Sequence, residues 1–281
     1  MKVNLANSAG FCFGVRRAMN IAMQTAKTSH PVFMLGDIVH NEDVVKEIRK
    51  SGVKKIRRLR QGKGKILLIR AHGCSKNTLR KARRLGYTII DATCPMVKDI
   101  HATAKSLEKR GFRIIVIGDK SHDEVKGIVG QLKTRAIVID KPENIPLEKI
   151  KRLGRAGVVV QSTQNLDTVQ KITDLLKENI NNLEFHNTIC KPTRSKQGEI
   201  KIMPMKNDVM IIIGSKTSAN TKRIYEISKS LNPRSYWVNA SNEIKRGWLL
   251  KAKSVGITAG ASTPKSTIQE VLRKVKAVSS C

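Results

Sequence analysis

Acidic residues are scarce in this chain: 22 Asp and Glu stand against 54 Lys and Arg in 281 residues, a formal net charge of +32. Such a field favours anionic partners of any kind. Aromatic residues are scarcer still, at 4%. The basic runs KKIRRLRQGKGK (54–65) and RKARR (80–84) contain none, so they offer no platform on which bases could stack. No apolar run approaches the roughly 18 residues that cross a bilayer. The opening MKVNLANSAG lacks the basic, apolar and small-residue regions of a signal peptide. A soluble, cytoplasmic protein with no membrane span is therefore expected. Cysteine is sparse and odd in number: Cys12, Cys74, Cys94, Cys190 and Cys281 include no C-x-x-C pair. That excludes a disulfide framework and a zinc ribbon. Low-complexity segments and long Gly/Ser linkers are absent as well.

What is present is alternation. PVFMLG (31–36), KILLIR (65–70), RIIVIG (113–118), AGVVVQ (156–161), VMIIIG (209–214) and SVGITAG (254–260) read as buried strands. Between them lie helical patterns such as VKDIHATAKSL, where Val97, Ile100, Ala104 and Leu107 recur at helical spacing. The pattern predicts an α/β chain with largely parallel sheets.

Three cysteines mark a repeat. At 24 residues after Cys12, Cys94 and Cys190 stand Gly36, Gly118 and Gly214, each ending an apolar run; at 28 residues stand His40, His122 and Ser218. YTIIDATC and LEFHNTIC resemble each other upstream, and VNLANSAGFC is a looser version. The chain thus reads as three similar α/β units, 13–94, 95–189 and 190–281, the last completed by the N-terminal strand in 1–12. In open α/β sheets ligands bind outside the carboxyl ends of the strands. Each cysteine also precedes a helix start, since Gly14, Pro95 and Pro192 follow within two residues, and a helix N-terminus favours the thiolate. Three thiolates at equivalent strand ends point to a metal site with a vacant position, either zinc or an iron–sulfur cluster.

AGFCFGVRRA, GDIVHNEDVV, RAHG, DATCPMVK, HDEVKG, QSTQN, NTIC, GSKTSANTKR and TAGASTP, in this order from Cys12 to Pro264, resemble the motifs of the LytB-type 4-hydroxy-3-methylbut-2-enyl diphosphate reductases of the non-mevalonate isoprenoid pathway. The resemblance implies a trefoil of three α/β domains around a central [4Fe–4S] cluster. It implies an iron–sulfur oxidoreductase that removes the substrate's hydroxyl with two electrons and two protons, yielding isopentenyl and dimethylallyl diphosphate. Cys12, Cys94 and Cys190 match the cluster ligands. His40, His72 and His122 match pocket histidines, and Ser218, Asn220 and Ser262 match diphosphate-binding groups. Glu124 matches the proton-delivering acid, with His122 beside it, and Thr163 the hydroxyl nearest the substrate's own. Ferredoxin or flavodoxin is the implied electron donor.

Some positions depart from the family pattern. Ala219 stands where a second polar diphosphate contact is common, HDEVKG carries Asp123 and Lys126, Lys265 replaces an acid, and Gly198 interrupts a helical pattern. His30, His101 and His186 read as structural or exposed, and Cys74 as incidental to the site. A reading of another class is a basic nucleic-acid-binding protein with a structural metal centre, which predicts salt-sensitive binding that persists without the metal.

Overall fold

The computed structural model describes residues 1–279, and Cys281 lies outside them. The chain begins with β1 (Lys2–Leu5) and α1 (Phe13–Thr25), followed by β2 (Val32–Leu35), α2 (Glu42–Lys50), β3 (Lys54–Ile56), β4 (Ile66–Ile69), α3 (Lys76–Arg84) and β5 (Thr88–Asp91). Next come α4 (Pro95–Lys109), β6 (Arg113–Ile117), α5 (Asp123–Val129), β7 (Ile137–Ile139), α6 (Leu147–Ile150), β8 (Arg155–Val160), α7 (Leu166–Asn179) and β9 (Asn182–Phe185). The remainder forms α8 (Lys191–Ile200), β10 (Val209–Ile213), α9 (Ala219–Leu231), β11 (Ser235–Val238), α10 (Arg246–Leu249), β12 (Ser254–Ala259) and α11 (Lys265–Ser279).

These strands form three four-stranded sheets with one plan: β3-β2-β4-β5, β7-β6-β8-β9 and β11-β10-β12-β1. Every pairing in them is parallel. The expected α/β class with parallel sheets is thereby borne out. All six strands read from the sequence exist, and they are the two central strands of each sheet. Central strands are covered on both faces, which is why they read as unbroken apolar runs. The strand that precedes a cysteine (β5, β9 or β1) lies at one edge of its sheet. The opposite edges, β3, β7 and β11, were not foreseen.

The described chain divides into two compact units: residues 1–16, 39–47 and 191–279, which hold the third sheet, and residues 17–38 and 48–190, which hold the other two. In the second sheet Ile115, Ile117, Val158 and Val160 pack under Val169, Ile172 and Leu176 of α7. Its other face buries Ile114, Val116 and Val159 against Ile100, Ala104 and Leu107 of α4. The helical spacing read in the sequence is therefore the buried stripe of α4. In the third sheet Ile211, Ile213 and Ile257 pack on Val271 and Val275 of α11, while Met210 and Ile212 face Ile200, Ile224 and Ile227. Leu67 and Ile69 of the first sheet pack on Ala82 of α3. Each such buried Val, Leu, Ile or Met side chain contributes about 1.5–3 kcal/mol. No helix among the described residues is long and apolar enough to cross a membrane.

Candidate active site at the carboxyl ends of the strands

Because the strands of each sheet run parallel, their carboxyl ends open along one edge. Two backbone hydrogen bonds there repeat in all three sheets. The N–H groups of Gly36, Gly118 and Gly214 donate to the carbonyls of Ile56, Ile139 and Val238, the last residues of β3, β7 and β11. The N–H groups of Cys94, Cys190 and Cys12 donate to the carbonyls of Ala71, Ser162 and Ala261, at 2.9, 3.1 and 3.1 Å. Each acceptor is the second residue beyond a central strand, β4, β8 or β12. The repeat in sequence is thus a repeat in register.

The residues that follow those acceptors are His72, Thr163 and Ser262. These three are therefore equivalent positions, a relation that their sequence spacings do not reveal because the preceding loops differ in length. His122 and Ser218 form a second equivalent set as N-caps. His122 Nδ1 accepts from the Glu124 N–H at 3.1 Å, and Ser218 Oγ accepts from the Thr221 N–H at 3.3 Å. His40 lies one residue before its cap, because Asn41 Oδ1 accepts from the Val44 N–H at 3.0 Å. Each cap satisfies helix donors that would otherwise lack partners.

All three cysteines are partly buried and unbridged. Cys94 is the N-cap of α4, Cys190 directly precedes α8, and the Val15 N–H donates to Cys12 Sγ at 3.4 Å. Each of these cysteines immediately precedes a helix, α1, α4 or α8. Cys74 differs. Burial, with the nearby Asp91 charge, pushes its thiol up to about 11.

Within the unit of residues 17–38 and 48–190, the His72 and His122 rings meet edge to face, with centroids 5.4 Å apart. Glu124 is 2% exposed, and its carboxylate accepts from the Ser162 N–H at 2.6 Å and the Ser162 hydroxyl at 2.8 Å. Gln161 is fully buried. Its Oε1 accepts from the Asp119 N–H at 2.9 Å, and its Nε2 donates to Thr163 Oγ1 at 3.1 Å. Asp123, one of the departures noted in the sequence, has a partner: its carboxylate pairs with Arg70 at 2.5 Å and so joins the RAHG loop to α5. Gly36, at φ +81°, makes room for that arginine, since a Cβ there would lie 2.7 Å from Arg70 Nη1.

In the other unit Ser218 and Asn220 lie in and just before the first turn of α9. Asn220 is 4% exposed, and neither its Oδ1 nor its Nδ2 has a hydrogen-bond partner. A buried amide with four unused hydrogen-bonding positions costs roughly 1–3 kcal/mol unless something occupies them. Ser262 donates to the His40 carbonyl at 3.0 Å, and the buried Ser215 hydroxyl donates to Glu42 at 2.8 Å. His40 and Glu42 are thereby tied to the two loops that carry the serines. Ala219, on the same first turn as Asn220, brings no polar group.

Ser162, Gln161 and Ser215 went unnoticed in the sequence. The QSTQN motif contained the first two, but nothing in it ranks them beside Thr163. His186, read as structural or exposed, bonds Glu184 at 2.8 Å, and His101 is buried on α4.

The chain is similar to known proteins over its whole length. Relatives named 4-hydroxy-3-methylbut-2-enyl diphosphate reductase include that of Geotalea daltonii, 37% identical over 278 residues, covering 99% of this chain and 98% of the relative. That of Geobacter sulfurreducens is 36% identical over 276 residues, covering 98% and 97%. Among solved structures, one described as (E)-4-hydroxy-3-methyl-but-2-enyl diphosphate reductase, the terminal enzyme of the non-mevalonate pathway, is 36% identical with a TM-score of 0.73, over 99% of this chain and all of that one. The E-1-hydroxy-2-methyl-but-2-enyl-4-diphosphate reductase of Plasmodium falciparum is 27% identical with a TM-score of 0.89, over 97% of this chain and 87% of that one. The profile described as LytB protein matches residues 3–276, a span that takes in all three cysteines and every strand but the first residue of β1. With sheets and cysteines repeating in register across that whole span, the chain belongs to the LytB protein family.

Proposed function

We infer that this chain is a 4-hydroxy-3-methylbut-2-enyl diphosphate reductase, an oxidoreductase that converts its allylic diphosphate to isopentenyl and dimethylallyl diphosphate with two electrons and two protons, releasing water. The observation that carries this reading is the common register of Cys12, Cys94 and Cys190, each hydrogen-bonded through its N–H to the same loop position in sheets of the same order. Three thiols at helix N-termini suit an iron–sulfur cluster, whose soft irons prefer thiolate. We propose that these three hold a [4Fe–4S] cluster. Three cysteines for four irons leave one iron open, so the cluster would supply single electrons and a Lewis-acid site for the hydroxyl. The units 13–94, 95–189 and 190–281, completed by 1–12, are proposed as the three domains.

The remaining roles fall to this chain's own side chains. Ser218, Asn220 and Ser262 would bind the diphosphate, and the unused hydrogen-bonding positions of Asn220 support that assignment. His40, His72 and His122 would complete the polar wall around the substrate. Thr163, oriented by Gln161, would meet the substrate's hydroxyl. Glu124 would deliver the proton that lets this hydroxyl leave as water, with His122 capping its helix turn. Ser162 fixes that carboxyl through two hydrogen bonds. A cytoplasmic location and an acidic one-electron donor, ferredoxin or flavodoxin, belong to the same proposal. A nucleic-acid role gains no support from relatives that are reductases.

Anaerobic reconstitution followed by iron and sulfide analysis, and by turnover with a chemical reductant, tests the reading. We expect about four irons per chain and both alkene products. Cys12→Ser, Cys94→Ser and Cys190→Ser should each lose the charge-transfer absorbance, whereas Cys74→Ser should keep it. Loss in Cys74→Ser with retention in Cys12→Ser would overturn the assignment.

A further inference from the structure

Two side chains of α8 are engaged in a way that the proposed chemistry does not use. Lys196 is only 3% exposed, and its ammonium donates to the carbonyls of Ser8 and of Ala259, the latter at 3.0 Å. One turn further on, the Glu199 carboxylate accepts from the Asn7 N–H at 2.8 Å, the Ser8 N–H at 2.9 Å and the Ser8 hydroxyl. A buried ammonium is costly unless its protons are bonded, and here they are used on main-chain carbonyls. In a chain with 54 basic residues, this one is withdrawn from the surface to hold backbone.

The backbone it holds flanks Cys12. Asn7 and Ser8 follow β1 and lead within a few residues to the cysteine. Ala259 ends β12, two residues before Ala261, whose carbonyl receives the Cys12 N–H at 3.1 Å. One face of α8 therefore fastens the chain on both sides of that hydrogen bond. The helix itself starts at Lys191, directly after Cys190.

We propose that Lys196 and Glu199 are positioning residues for Cys12, holding its approach loop so that the thiol is set in place before any cluster arrives. This rests on the reading of Cys12 as a ligand. A helix that anchors a strand-end loop for stability alone would lower the melting temperature when cut loose, but would leave the cysteine's own backbone as it was.

The test uses the full chain in two forms, with Glu199→Gln, Lys196→Met and the conservative Lys196→Arg. In the cluster-free protein, amide hydrogen exchange is read at Asn7, Ser8 and Cys12, with β10 and β12 as internal references. Loss of one such hydrogen bond corresponds to about tenfold faster exchange. We expect that change at Cys12 as well as at Asn7 and Ser8 in the first two variants, with the central strands protected as before and Lys196→Arg restored. After anaerobic reconstitution, the same two variants should hold less iron and give an altered EPR spectrum in the reduced state. Parental exchange at Cys12 together with a parental spectrum, alongside a lowered melting temperature, would overturn the proposal. Should Lys196→Met fail to fold, the nearly isosteric Glu199→Gln decides alone. Failure of the ligand reading is separate: Cys12→Ser would then keep its full iron content and spectrum, whatever the α8 variants do.

Discussion

At the scale of single residues, Glu124 is held by two hydrogen bonds from Ser162 and is almost wholly buried. Glu124→Gln should keep fold, iron content and substrate affinity and lower turnover by about 10²-fold, the scale of a lost general acid; near-parental turnover under saturating substrate and reductant would move proton delivery elsewhere. Glu42, equivalent in spacing, accepts from Ser215 instead. Glu42→Gln retains an acceptor and should change turnover little, whereas Glu42→Ala should raise KM more than it lowers kcat by freeing the Ser215–Ser218 loop. Cys74 has a thiol pushed up to about 11 by burial. Iodoacetamide at pH 8 should therefore leave it unmodified in the folded chain, as mass spectrometry of the labelled peptide would report. Of the candidate residues, Cys12, Cys94, Cys190, His40, His122 and Ser218 stand out in the sequence by repeating offsets, whereas His72, Glu124, Thr163, Asn220 and Ser262 were reached only through the family motifs. Their supporters were not legible: Ser162 and Gln161 are ordinary polar residues whose importance lies in partners 38 and 42 positions away.

Among the elements, α4 joins the proposed site to the core. It starts at Cys94 and buries His101. Gly73, at φ +74°, passes so close that a Cβ there would lie 2.9 Å from the His101 ring. Burial, aided by Lys105 and opposed by Asp91, lowers the His101 imidazole from 6.5 to about 4. The unfolded chain thus takes up this proton as pH falls through 6.5, while the folded chain resists until about 4. Stability is full above that window and is lost within it, by about 3 kcal/mol in all. Thermal melts at pH 7 and pH 5 should diverge in the parent and converge in His101→Gln. Legibility also divides by element. The central strands announce themselves because both faces are covered. The edge strands β3, β7 and β11 do not: KKI carries one apolar residue, SYWV is only partly buried, and IVI, though wholly apolar, is only three residues long.

Over the whole molecule, the positive charge is unevenly spread along the chain. From residue 48 to residue 90 there are fifteen Lys and Arg and no acid. A field of this kind speeds encounter with an acidic donor, and salt screens it over about 8–10 Å at ordinary ionic strength. Stopped-flow reoxidation of reduced ferredoxin should therefore slow as salt is raised, and a flat profile would remove the donor from the explanation of the charge. The class and the threefold plan were legible at this scale, the class from apolar runs alternating with helical patterns and the plan from cysteines and glycines at fixed intervals. The interleaving of residues 39–47 with the C-terminal unit was not, since it depends on pairings such as Ser262 with the His40 carbonyl. One feature of the third sheet also bears on the protein's biogenesis. β1 is the partner of β12, aligned from Lys2 with Ser254 to Leu5 with Ile257. β1 must wait, unpaired, until β12, the last strand after it in the chain order, has been synthesised, and Cys12 waits with it. Nascent chains stalled before Ser254 should then be protease-sensitive around Leu5.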